Sequence, residues 1–86
     1  MRLMMVPIEV IAKFNLKGQP KPVKFRLEQE HILTEIKVDR IVAQEEEKLV
    51  GNRMLVFLCQ SMVNGAESLY ELKYEVATCK WFLAKM

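Results

Sequence analysis

Eighty-six residues support a single domain over residues 1–86, too short for a second core. A formal charge of +2, from 13 Lys and Arg against 11 Asp and Glu, is too small to specify nucleic acid on its own. No apolar run reaches the ~18 residues needed to cross a membrane as a helix. The hydrophobic fraction of 51% is high for so small a unit, so part of the apolar surface is expected in a subunit interface.

Val6, Ile8, Val10, Ala12 and Phe14 alternate with Pro7, Glu9, Ile11, Lys13 and Asn15. Period two predicts a half-buried strand, and Pro7 is tolerated near its start. The stretch from Lys17 to Pro22, with Gly18, Pro20 and Pro22, is a turn or loop. Val23, Phe25 and Leu27 then alternate with Lys24, Arg26 and Glu28 in a second strand. A reversal is expected at Gln29, Glu30 and His31, without a strong turn residue. Ile32, Thr34, Ile36 and Val38 form the next inward set, and the alternation changes phase near Arg40 and Ile41, where a bulge or bend fits.

Glu45, Glu46 and Glu47 break the β pattern and are followed by Lys48 and Gly51. Acids before a base, then a glycine, suit one short helical turn near residues 45–50 with Gly51 as its C-cap. A solvated acidic loop fits the same residues.

Asn64-Gly65 is the strongest turn signal in the chain, because both central residues of a type I′ hairpin need positive φ. A two-residue loop sets Val63 opposite Ala66, Ser61 opposite Ser68, Cys59 opposite Tyr70, Phe57 opposite Leu72 and Leu55 opposite Tyr74. A slip of one residue would set these side chains against Glu71, Lys73 and Glu75, so the register is strongly specified. The last strand continues the face, with Trp81 opposite Tyr74 and Leu83 opposite Leu72.

The fold class is all-β. About six strands form an antiparallel meander, curled by strand twist into a small, partly open barrel. The expected core is Ile8, Val10, Phe14, Phe25, Leu27, Ile36, Val38, Leu55, Phe57, Tyr70, Leu72, Trp81 and Leu83. Cys59 and Cys79 are both placed inward as reduced thiols of a cytoplasmic protein.

The single histidine, His31, sits in a turn among scattered acids and cannot supply the several ligands a metal needs. Ser61 and Ser68 have no histidine placed by any motif. The three glycines are separate turn residues, with no phosphate-cradling loop. We expect no catalytic residue, no metal, no cofactor and no enzymatic activity. Two surfaces remain. Met54, Val56, Leu58, Met62 and Phe82 share the outward side of the hairpin and its neighbour. They form a candidate protein interface, for a second copy of the chain or another protein. Lys13, Lys24, Arg26, Lys37 and Arg40 form a candidate basic surface for nucleic acid. Stacking of single-stranded bases would also want exposed aromatics, and this reading points Phe14, Phe25, Phe57, Tyr70, Tyr74 and Trp81 inward. The apolar surface is the leading expectation and the basic surface the alternative.

The order of landmarks also resembles a small, uncharacterised bacterial all-β domain. Pro7-Ile8-Glu9-Val10, Gly18-Gln19-Pro20, Phe25-Arg26 and Val38-Asp39-Arg40-Ile41 carry the likeness, completed by Leu69-Tyr70-Glu71-Leu72 and Lys80-Trp81-Phe82-Leu83. It looks like the domain associated with Y-family, error-prone DNA polymerases and its small stand-alone relatives. The resemblance implies an all-β fold and a link to DNA transactions, and it implies no catalytic residue.

Overall fold

Alternating side chains keep almost the whole chain extended. The computed structural model describes residues 1–86. It contains β1 (Leu3–Phe14), β2 (Pro20–Gln29), β3 (Ile32–Lys37), β4 (Arg40–Leu49), β5 (Asn52–Val63), β6 (Ala66–Glu75) and β7 (Lys80–Lys85). There is no helix, and so none long and apolar enough to cross a membrane. All seven strands are antiparallel in one sheet, ordered β3-β2-β1-β7-β6-β5-β4.

Two meanders, β1-β2-β3 and β4-β5-β6-β7, are joined side by side by β1. That strand changes partner along its length. Leu3 to Ile8 pair with β7, and Glu9 to Phe14 pair with β2. The edge strands β3 and β4 are consecutive in the chain, separated by Val38 and Asp39 alone. Val38 N–H still donates to Val23 on β2, at 2.9 Å, while Asp39 N–H donates to Gln60 on β5, at 3.1 Å. The two edges are thereby held together at one corner, and the sheet is curled without closing into a barrel.

The Asn64-Gly65 hairpin has the register expected of it, from Leu55↔Tyr74 to Val63↔Ala66, and φ is 51° at Asn64 and 78° at Gly65. Tyr74 meets Trp81 and Leu72 meets Leu83. These rows build the core, in which Phe57, Cys59, Tyr70, Leu72 and Leu83 are fully buried. Trp81 lies 5.7 Å from Phe57 and 4.8 Å from Tyr74, ring centre to ring centre. The phase change near Arg40 is a register shift between Ile41 and Ala43.

Several expectations need correction. The loop expected from Lys17 to Pro22 ends by Gln19, and Pro20, Lys21 and Pro22 open β2, with both prolines buried. The acidic segment is neither a helical turn nor a loop. It is the second half of β4, paired with β5 from Glu45↔Val56 to Leu49↔Asn52. An edge strand has a partner on one side only, so its charges stay solvated while β5 satisfies its backbone. Such charges also discourage edge-to-edge pairing. Gly51 caps no helix: with Val50 it makes a two-residue turn, at φ 51° and 80°. The strand count is therefore seven.

Cys79 is exposed rather than inward, because it lies in the β6–β7 turn with φ of 60°. Phe14 has the inward parity, yet it is 55% exposed. It is the last residue of β1 and extends past the core. Ile32 and Thr34 are exposed as well, since pairing of β1 with β2 stops at Glu9↔Arg26 while the β2–β3 hairpin runs on to its turn at Glu30 and His31.

Candidate functional site: a basic end and a covered apolar face

The outward side of the hairpin is built from cross-strand rows. Val56 lies between Glu45 and Lys73, and Lys73 is followed by Phe82 and Pro7. Met54 lies between Glu47 and Glu75. The Lys73 ammonium reaches diagonally to Glu47, 3.2 Å from both carboxylate oxygens, and its side chain is only 13% exposed. Long charged side chains can shelter apolar surface with their stems, and here they do. Val56 is 4% exposed and Met54 9%, while Leu58 and Phe82 are half-buried. Of the five residues, only Met62 is open, at 61%. Covering chemistry carried by Lys73 and Glu47 was invisible in the alternation of β5 alone.

The basic residues fall differently. No Asp or Glu occurs from residue 10 to residue 27, where Lys13, Lys17, Lys21, Lys24 and Arg26 stand. The β1–β2 pairing sets Lys13 opposite Lys21, and the β2–β3 pairing sets Lys24 opposite Lys37. Glu35 takes up Lys24 at 3.2 Å and Arg26 at 3.7 Å, and Glu9 is 4.0 Å from Arg26. Lys13, Lys17, Lys21 and Lys37 take part in none of the ion pairs. Arg40, across the corner on β4, pairs with Gln60 and is exposed. Of the five basic residues expected to act together, Lys13, Lys24 and Lys37 share the outer side of one meander. Lys24 and Arg26 are both engaged by acids, and Arg40 lies on the other meander. Lys17 and Lys21 join the group, a consequence of the tight β1–β2 turn.

That turn is rigid. Asn15 Oδ1 accepts from Lys17 N–H at 3.0 Å and from Gln19 N–H at 2.9 Å, while Asn15 Nδ2 donates to Gln19 Oε1 at 2.9 Å. Beside it lies a cleft of about 540 Å³ between the β1–β2 end and β4, lined by Lys13, Phe14, Pro20, Lys21, Ile41 and Gln44 among others.

A larger cleft of about 660 Å³ opens where β1 leaves β7 for β2, between Trp81 and Cys79 on one side and Phe25 and Arg26 on the other. Its thiol, Cys79, raises the Tyr74 phenol above its usual range through a hydrogen bond, helped by burial. His31 does not line this cleft; it is exposed in the β2–β3 turn. No three His, Cys, Asp or Glu residues gather to hold a metal. Burial pushes the Cys59 thiol up to about 12, which keeps it protonated and unreactive at neutral pH.

Fold and surface together define a class: a small, curled, all-antiparallel domain with one charge-segregated end. No protein-family model, curated protein or solved structure matches this chain. None of these comparisons links the chain to the polymerase-associated domain.

Proposed function

We propose that this domain is a non-enzymatic binding module that engages nucleic acid through its basic end. The observation that carries the reading is the lysine–lysine juxtaposition Lys13↔Lys21, inside a stretch with no acid, with a second one, Lys24↔Lys37, next to it, where Glu35 takes up Lys24 and leaves Lys37 free of any ion pair. Like charges directly opposite on neighbouring strands destabilise a sheet. Protection of an edge does not account for Lys13 and Lys21, which lie on the interior strands β1 and β2, although Lys37 stands on the edge strand β3. A bound phosphate backbone turns this repulsion into attraction and releases counterions. The landmarks shared with a polymerase-associated domain point the same way. Two free cysteines suit a reducing, cytoplasmic setting.

The other reading, docking of a second copy or another protein on Met54, Val56, Leu58, Met62 and Phe82, has less surface to use, because Met54 and Val56 are buried under the Lys73–Glu47 pair. Fluorescence anisotropy of a labelled oligonucleotide, titrated at several salt concentrations, decides between them. Four phosphate contacts on a single strand give log K against log salt a slope of about −3, and Lys13→Glu with Lys37→Glu abolishes binding. Absence of binding at low salt, or binding indifferent to salt and to these substitutions, overturns the proposal and returns attention to protein partners.

A further inference from the structure

We infer that the strand bound at this end is single-stranded and that one of its bases stacks on Phe14. This rests on the nucleic-acid reading above and goes beyond it. Every other aromatic residue is buried or half-buried, whereas Phe14 is 55% exposed. Its ring is nonetheless fixed. One contact is edge-to-face with Tyr74, at 6.2 Å and 71°. Its backbone pairs with Pro20, and Asn15 N–H donates to Gln19 at 3.0 Å just beyond it. A platform held in place in the free protein loses little freedom when a ligand arrives.

The surroundings match a nucleotide part by part. Phe14, Pro20 and Ile41 give the cleft apolar walls, Lys13 and Lys21 line it from the neighbouring positions on β1 and β2, and the exposed Gln44 amide stands on β4. The cleft's volume of about 540 Å³ falls within the range of small-molecule sites. Stacking supplies affinity for any base, the lysines hold the phosphates, and an amide offers both a donor and an acceptor to a base edge. Two of the acids that follow Gln44 are already engaged, Glu46 by Arg53 at 2.6 Å and Glu47 by Lys73 at 3.2 Å. In a duplex, base faces are covered by their neighbours, so an aromatic inside a cleft reaches only an unstacked base.

The test compares a labelled thymidine oligonucleotide with a duplex of equal length, using the wild-type protein, Phe14→Ala, Phe14→Tyr and the double variant Lys13→Glu/Lys21→Glu. Phe14→Ala is expected to weaken single-strand binding by about 5- to 150-fold and to leave duplex binding within about twofold. Phe14→Tyr keeps a stacking face and retains affinity. The double charge reversal weakens both. If Phe14→Ala binds the single strand as wild type does while the charge reversal fails, the stacking inference falls and the nucleic-acid reading stands. If wild type binds neither strand, both fall. Melting curves check that Phe14→Ala is folded.

Discussion

Val50 occupies the left-handed region at φ 51°, which a β-branched residue rarely adopts. The conformation costs about 1–2 kcal/mol in an L-residue, and nothing repays it through packing, because the side chain is fully exposed. At the other end of β5, the turn with nearly the same dihedrals is Asn64-Gly65, at 51° and 78°. Val50→Asn is therefore expected to stabilise the protein by about 1 kcal/mol, raising Tm by about 4–8 °C in a domain of this size. An unchanged or lowered Tm would contradict the turn geometry. A second prediction concerns alkali. Burial raises the Cys59 thiol from 9.0 to about 12 and, as the largest cause, the Tyr70 phenol from 10.0 to about 12. Groups whose folded pKa is raised contribute stability that is complete below the unfolded value and is lost as pH rises through the folded one. Stability should hold at neutral pH and decline from about pH 9 to 12, readable by chemical unfolding across that window. A flat profile would mean these groups are not buried as described.

At the scale of elements, one hydroxyl reinforces the backbone bonds that hold the corner between β3 and β4. Ser61, 1% exposed, donates to Lys37 carbonyl at 2.7 Å and accepts from Asp39 N–H at 3.4 Å. Its 2.6 Å contact with Tyr70 must then be donated by the phenol, since a serine has only one proton to give. Ser61→Ala takes the acceptor from the buried Tyr70 hydroxyl and the donor from the Lys37 carbonyl, while Asp39 N–H keeps Gln60, and should cost about 1–3 kcal/mol, with faster amide exchange at Val38 and Asp39. A neutral substitution would show that the corner is held by other means. Trp81→Ala removes the ring packed on Phe57 and Tyr74 and should cost about 3–5 kcal/mol in urea unfolding. Unchanged melting would refute the β6–β7 register. These elements were legible because a strand with partners on both sides and one buried face shows a clean period of two, and a two-residue Asn-Gly turn ties two such strands together. The second half of β4 was not, because Glu45, Glu46 and Glu47 put charge on both faces and erase the alternation that the other edge strand, β3, keeps. Nor was the exposure of Phe14, because parity assigns a face while position at a strand end decides whether anything covers it. Val56 and Met54 read as exposed because the lid over them is charged.

Across the whole molecule, charge is separated along the chain. Residues 10–27 carry five positive charges and no negative one, so the remainder holds a net −3. A single curled sheet carries both regions. Its basic residues gather around the β1–β2 turn and the Lys24–Lys37 pair, while the acidic run lies along the β4 edge. On the proposed reading, that arrangement would orient an approaching polyanion toward one end, and such steering weakens as salt rises. An exposed apolar interface was the leading expectation from sequence, because the outward side of β5 is rich in Met, Val and Leu. The ion pair above it changes that balance.

The most direct measurement is a heteronuclear amide shift map of the protein titrated with a short single-stranded oligonucleotide at low salt. The account predicts perturbations confined to the β1–β2 end, at Lys13, Phe14, Lys21 and Gln44, extending to Lys24 and Lys37 and fading as salt is added. Perturbations centred on Val56, Leu58 and Phe82, or none at all, would contradict it.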